Sequence, residues 1–462
     1  MGKYFGTDGF RGEANVKLTA DHAFRIGRFL GWYYGELKKR RGDATPARIV
    51  VGKDPRRSGY MLEYALVGGI TASGADAYLL HVTTTPSVAF STKKDVFECG
   101  VMISASHNSY EDNGIKLLNT NGEKIETSVI DLIEEYLDGS VYVFGDEYTE
   151  LPYAQGDRIG IAVDYSYGRE RYMERLISLG VPMKGYRIGL DCANGSSSKI
   201  AEIVFSALGA EVHMVNSSPD GKNINKKCGS THMESLRDFV LENHLDVGFA
   251  FDGDADRCGC VDEKGNILSG DHILYICARY FKEYGDLPHN TVVATIMSNF
   301  GLFRSLKKIG IECAVTKVGD KYVYECMSEN GYSVGGEQSG HIILSQFATT
   351  GDGILTCLKL VEVMIRRNMT MSELLGEFDS YPQALRNFRV TDRDAVVNDP
   401  EIVALVKEVE DVMGEDGRIL LRASGTESVV RLIIEGDRED VCLDYATKME
   451  TILVRKGYLV RQ

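Results

Sequence analysis

Along most of the chain a short β-branched or apolar run gives way to a turn rich in Gly, Ser, Asn or Asp. A helical spacing of apolar residues then follows. That alternation predicts an α/β fold with mixed, mostly parallel sheets. It occurs in three successive blocks. In the first, the run 48–51 leads into Gly52-Lys53-Asp54, and 100–103 into Ser104-Ala105-Ser106-His107-Asn108. In the second, 187–190 leads into Asp191-Cys192-Ala193-Asn194-Gly195, and 247–251 into Asp252-Gly253-Asp254. In the third, 292–296 precedes Met297-Ser298-Asn299, 314–315 precedes Thr316-Lys317-Val318-Gly319-Asp320, and 332–334 precedes Gly336-Glu337-Gln338-Ser339-Gly340. After a helical segment near 371–378 the pattern becomes helix 400–413, strand 418–422, polar loop, strand 429–435 and helix 438–456, a smaller α+β unit. Ligands of open α/β sheets bind outside the carboxyl ends of the strands, and each polar turn here follows a strand. The loops of all blocks are therefore expected to face one central cleft.

The length agrees, since 462 residues exceed one core. With the polar stretch 146–157 as a linker, four domains are expected. Residues 1–153 carry the Ser106 loop, 154–250 lead into the acidic loop, 251–367 carry that loop and the Glu337 turn, and 368–462 form the α+β domain. Apolar residues at 44% and charged residues at 26% exclude a disordered chain. The net charge of −15 excludes bulk nucleic acid and an anionic membrane surface as main partners. No run is apolar enough to insert in a membrane, and the N-terminus MGKYFGTDGFRG lacks a signal core. Ten cysteines without a C-x-x-C pair read as reduced core residues, not as a zinc site. A cytoplasmic address is expected.

Asp252, Asp254 and Asp256 alternate just past an apolar strand, in Asp252-Gly253-Asp254-Ala255-Asp256-Arg257. Carboxylates so close repel unless a hard cation lies among them, and Mg²⁺ suits a site open to phosphate. A solvated acidic loop is the plain alternative. Ser106 beside His107 reads as an activated nucleophile or phosphate carrier, or else as a polar turn capping a helix. Arg422-Ala423-Ser424-Gly425-Thr426 combines a guanidinium, hydroxyls and a glycine, the composition of a phosphate cradle or of an ordinary hairpin loop. The Glu337 turn offers a carboxylate, a hydroxyl and, at His341, an imidazole.

Together and in this order these motifs resemble the α-D-phosphohexomutase superfamily over essentially the whole chain. Phe5-Gly6-Thr7-Asp8-Gly9-Phe10-Arg11-Gly12, Asn223-Ile224-Asn225-Lys226-Lys227-Cys228-Gly229-Ser230-Thr231-His232, Thr316–Asp320 and Glu337-Gln338-Ser339-Gly340-His341 are most similar to its bacterial glucosamine-phosphate branch. The resemblance implies that Ser106 is a phosphoserine carrying the transferable group. Asp252, Asp254 and Asp256 would hold one Mg²⁺ together with a phosphoserine oxygen. Arg11 and Arg257 would stabilise charge, and Lys116 and His341 would be acid and base candidates. Glu337, Ser339 and Lys317 would bind the sugar. Arg422, Ser424, Gly425 and Thr426 would grip the phosphate that is not reacting. The implied reaction interconverts glucosamine 6-phosphate and glucosamine 1-phosphate through a 1,6-bisphosphate, with a hexosamine phosphate as the partner molecule and room for a homodimer. Mannose or glucose phosphates are the rival substrates. A non-catalytic sugar-phosphate sensor and an Asp252-dependent phosphatase are the rival functions. The family usually has proline at the places of Ser109 and Ser428, and more mobile loops are expected there.

Overall fold

The computed structural model describes residues 2–423 and 428–460. The chain forms two compact units. The first comprises residues up to Ile296 with Cys313–Gly376, and the second comprises Met297–Glu312 with the chain from Glu377 onward.

Within the first unit, one sheet contains β1 (Phe5–Gly6), β2 (Gly9–Glu13), β3 (Arg48–Lys53), β4 (Asp76–Val82), β5 (Cys99–Ile103) and β6 (Asp112–Leu118). A small hairpin follows, β7 (Val141–Val143) and β8 (Asp146–Tyr148), and then β9 (Ala162–Asp164) completes the sheet in the order β1-β2-β6-β5-β3-β4-β9. A second sheet has β10 (Arg187–Asp191), β11 (Glu211–Val215), β12 (Val247–Phe251), β13 (Cys258–Asp262) and β14 (Ile267–Leu268), in the order β11-β10-β12-β13-β14. A third has β15 (Thr291–Thr295), β16 (Glu312–Thr316), β17 (Val334–Gly336) and β18 (Ile342–Leu344), in the order β16-β15-β17-β18. The central strands β3, β5, β10, β12 and β17 are wholly or almost wholly buried, which explains their continuous apolar or glycine-rich runs. The helix Gly353–Arg367 is buried from Gly353 through Met364, and Asp352 caps it by accepting the Leu355 N–H. Such an all-round buried helix belongs to an interior, and it packs on strands of the second and third sheets.

The second unit is a three-stranded antiparallel sheet, β19 (Gln383–Arg389), β21 (Val429–Gly436) and β20 (Gly417–Ala423). Helices Pro400–Met413 and Glu439–Arg455 pack on it, and its core includes Phe388, Ile402, Val409, Leu432, Ile434 and Met449. β19 escapes sequence reading because its buried residues, Ala384 and Phe388, are four apart with exposed Arg386 between them. Period two is broken there.

The α/β and α+β classes hold, with mixed sheets, but the domain limits differ from those expected. β9 pairs with β4, so the first sheet extends beyond 153. The break at 250/251 falls inside β12, and the acidic loop joins β12 to β13 of the second sheet. Met371–Leu375 packs on helix Gly270–Glu283 and stays in the first unit, so the change of unit comes at 376/377 and not at 367/368. Local rhythm marks where an element starts. It carries no record of which strand that element pairs with.

Candidate active site

Three loops build the site, and each leaves the carboxyl end of a central strand only to return antiparallel. They link β5 to β6, β12 to β13 and β17 to β18. Each reversal contains one residue in the left-handed region, Ser106 (φ 53°), Ala255 (φ 55°) and Gly340 (φ 91°). Space demands glycine at the third, where a Cβ would lie 2.0 Å from the Cys258 carbonyl oxygen. Serine and alanine are strained in this region and persist only where neighbours enforce it.

Ser106 is buried, and its Oγ donates to Asp252 Oδ2 at 2.5 Å. Asp252, Asp254 and Asp256 are buried together, with one oxygen of each within 4.8 Å of the others. Burial, then the charges of Asp256 and Asp254, push the Asp252 carboxyl well above the ordinary range. Lys116 from β6 donates to Asp254 Oδ2 at 2.5 Å and Asp256 Oδ2 at 2.8 Å. Burial opposes its ammonium, but these two carboxylates hold its pKa above that of ordinary lysine. Burial likewise works against the Asp256 carboxylate, and Lys116, His341 and Arg257 together take its pKa below the ordinary value. One ammonium does not balance three carboxylates. Asp254 Oδ1 and Asp256 Oδ1 are buried with no hydrogen-bond partner among the described residues. Two orphaned acceptors in an all-oxygen cluster fit a hard divalent ion.

Two arginines act on His107, the neighbour of Ser106. Arg257 Nη1 lies 3.3 Å from His107 Nδ1, and because a guanidinium only donates, Nδ1 accepts. Burial, Arg257 and Arg11 pull the His107 pKa down to about 4, so the ring is neutral at physiological pH. Arg11 on β2 lies 3.5 Å from Asp8. The Nε atoms of Arg11 and Arg257 are buried without partners among the described residues, leaving two N–H donors for an oxyanion.

The third loop closes the network. Glu337 Oε1 accepts the Gly319 N–H at 2.9 Å, and burial raises the Glu337 pKa. His341 is 3% exposed, and its Nε2 accepts the Gly351 N–H at 3.1 Å. Its Nδ1 is 3.9 Å from Asp256 Oδ1. Ser339 is exposed on the same loop, and Lys317 is exposed on the turn that follows β16. Beside Lys116 and Asp256 a cavity of about 350 Å³ opens, lined also by Thr7, Asp8, Lys124 and Asp320.

Several of these groups have little or no signal in the sequence. Thr85 donates from its hydroxyl to Asp254 Oδ2 and from its N–H to the Asp254 carbonyl. Lys124 donates to the Thr7 carbonyl at 2.7 Å, Asp8 at 3.1 Å and Asp320 at 2.5 Å. Burial disfavours the Asp8 carboxylate, yet Lys124 and Arg11 hold its pKa well below the usual value. Asp8 and Asp320 lie inside distinctive motifs, whereas Thr85 and Lys124 stand alone in the sequence. In the second unit, Arg422 on β20 stands directly opposite Arg431 on β21, whose buried Nε has no partner among the described residues. Like charges so placed repel unless an anion joins them. Ser424, Gly425 and Thr426 lie outside the described residues.

Profiles of the phosphoglucomutase/phosphomannomutase family match the chain in order. The alpha/beta/alpha domains I, II and III match residues 2–141, 170–265 and 269–381, and the C-terminal domain matches 385–451. The chain belongs to the phosphoglucomutase/phosphomannomutase family. The domain II match of this family contains the acidic loop, in agreement with the pairing of β12 and β13. Among family relatives, a phosphoglucosamine mutase of Lachnospira eligens is 58% identical over 461 residues, covering 100% of both chains. Among solved structures, a phosphoglucomutase/phosphomannomutase family protein of Burkholderia thailandensis is similar with a TM-score of 0.77, 23% identity and 98% of each chain covered. The Aspergillus fumigatus N-acetylphosphoglucosamine mutase in complex with GlcNAc-6P and magnesium matches with a TM-score of 0.67 at 18% identity, covering 97% of this chain and 95% of the other. These two likenesses concern the fold. No helix among the described residues is long and apolar enough to cross a membrane.

Proposed function

We propose that the chain is a phosphoglucosamine mutase, an isomerase interconverting glucosamine 6-phosphate and glucosamine 1-phosphate. One observation carries the chemistry: the Ser106 hydroxyl is buried and hydrogen-bonded to Asp252 of the carboxylate cluster, next to His107, on which Arg257 and Arg11 act. The choice of sugar leans on the Lachnospira eligens relative, which matches end to end at 58% identity.

In this reading Ser106 carries a phosphoryl group. The P–Oγ bond breaks as a bond from phosphorus to the sugar O1 forms, and the O1 proton passes through the cluster to Ser106 Oγ, giving a 1,6-bisphosphate and the free serine hydroxyl that donates to Asp252. After that intermediate turns end for end, its other phosphoryl group returns to Ser106 Oγ. Mg²⁺, held by Asp252, Asp254, Asp256 and a phosphoserine oxygen, would neutralise charge on the phosphoryl oxygens. Arg11 and Arg257 donate to those oxygens, the electrostatic work that dominates phosphoryl transfer. Lys116, held as an ammonium, is the proton donor of the cluster. His341 has its Nε2 occupied by Gly351 and is read as a group that positions Asp256 rather than as an acid or base. Glu337, with Ser339 and Lys317, receives the sugar hydroxyls, while Arg422, Ser424, Gly425 and Thr426 take the phosphate that is not reacting. Eight of the ten cysteines are buried, in keeping with a cytoplasmic site of action, where the product would feed amino-sugar nucleotide and cell-wall precursor synthesis.

Turnover measured side by side on glucosamine, glucose and mannose 6-phosphates tests this. Glucosamine 6-phosphate should be preferred, and Ser106→Ala should abolish turnover together with the phosphoserine mass. Equal rates on mannose 6-phosphate would overturn the sugar assignment. Phosphate release that survives Ser106→Ala but needs Asp252 would identify a phosphatase instead.

A further inference from the structure

The strained conformation of Ser106 is enforced from outside its own loop, and the enforcing group is a side chain with no part in the chemistry above. Arg56 follows β3 and is fully buried. Its Nη2 donates to the carbonyls of Ser106 and Asn108, both at 2.9 Å. Its Nη1 donates to the carbonyl of Asp112 at 3.1 Å and to that of Ser109. Four carbonyls, three of the loop and one at the start of β6, are thus gathered on one guanidinium.

The amide side of Ser106 is tied to the same residue. Arg56 Nε and backbone N–H both donate to Asp54, at 2.8 and 3.0 Å. Asp54 Oδ2 accepts the Ser104 hydroxyl at 2.6 Å, and Ser104 Oγ accepts the Ser106 N–H at 2.9 Å. A second donor reaches the Ser106 carbonyl from the second sheet's side. Asn225 Nδ2 lies 2.8 Å from that oxygen and 2.9 Å from the Asn108 carbonyl. Gly253 leaves room for the oxygen, since a Cβ there would stand 2.6 Å from it. The Ser106 carbonyl is therefore fixed by side chains of other elements and its N–H by Ser104, which Asp54 holds in turn, with φ at 53°.

We propose that Arg56 is the positioning residue of the phosphoserine loop, holding Ser106 left-handed so that Oγ faces Asp252 in both its free and its phosphorylated state. The inference rests on reading Ser106 as the phosphoryl carrier. Phosphorylation changes the charge at Ser106 by about −1.5 to −2 in every cycle. A loop free to relax would follow that charge, and a fork bonded to four neutral carbonyls does not. The fork also holds Ser109, where a ring would otherwise constrain the chain.

Arg56→Lys tests this, because it keeps a cation for Asp54 but has no planar fork for four carbonyls. In full-length protein with Mg²⁺, kcat for glucosamine 6-phosphate should fall about a hundredfold while KM changes less than about twofold. Added guanidinium ion should partly restore kcat to Arg56→Ala. A folded Arg56→Lys enzyme with wild-type kcat would overturn the proposal, as would activity lost only in proportion to unfolded protein. If the Arg56 variants do not fold, Asn225→Ala removes one donor to Ser106 and should lower kcat about tenfold at constant KM. An unchanged kcat in that variant counts against the clamp. Full activity in Ser106→Ala would instead defeat the carrier reading, and the inference with it.

Discussion

Replacing Asp352 by asparagine measures what a buried charge costs behind the acidic loop. Asp352 Oδ1 accepts the Leu355 N–H at 2.9 Å, and Oδ2 accepts the Tyr172 O–H at 2.8 Å. Both bonds favour the carboxylate, yet burial outweighs them and raises its pKa from 3.8 to about 6. A carboxyl with a higher pKa folded than unfolded binds its proton more tightly in the native state. Its contribution to stability is complete below pH 3.8 and is lost as pH rises through about 6. The gap is about two pH units, which at about 1.36 kcal/mol each amounts to about 3 kcal/mol. Asparagine keeps Oδ1 as the acceptor for the helix cap and presents its amide N–H to the Tyr172 oxygen, so that bond reverses direction while the charge is removed. Asp352→Asn should therefore gain stability over the parent as pH rises from about 4 to 8, by up to about 3 kcal/mol. Hydrogen exchange of helix Gly353–Arg367 in both proteins across that range reads the difference directly. A difference that stays flat with pH, or that favours the parent at high pH, refutes the reasoning. Activity should stay within about twofold of the parent, because the cap and the Gly353 N–H to Ala255 carbonyl bond at 3.0 Å survive.

Two further outcomes follow from the same packing. A Cβ at Gly353 would meet the Arg257 carbonyl oxygen at 2.6 Å and that of Ala255 at 3.1 Å, both backbone atoms. Gly353→Ala should cost about 1–3 kcal/mol and weaken Mg²⁺ binding, read by thermal shift against a metal titration. Lys116→Met removes the only ammonium bonded to Asp254 and Asp256 among the described residues and should cost the metal-free protein about 3–5 kcal/mol. Saturating Mg²⁺ should recover much of that loss, and a thermal-shift deficit indifferent to Mg²⁺ would count against a shared charge cluster.

The residues of the proposed site stand out in the sequence because phosphoryl transfer would need dense polar groups just past apolar strands, and short motifs preserve that density. Asp252, Asp254 and Asp256, Ser106 and the Glu337 turn could all be found that way. The antiparallel return after each loop could not. β6, β13 and β18 follow their loops as buried runs that resemble any other core strand, so Ser106 could equally have capped a helix. Arg56, Thr85, Lys124 and Asn225 each reach a partner 50 to 196 positions away, as Asn225 does Ser106 at 119 and Lys124 does Asp320 at 196. Such contacts leave no local trace. The amino-acid sequence by itself determined the element types, the family and the stock of reactive groups, since these depend on neighbours within a few residues. Tertiary structure alone decided which groups share a charge, which hydroxyl meets Asp252 and which side chains hold Ser106 in a conformation it would not keep alone. Burial and strand pairing set those, and both are sums over residues far apart in the chain.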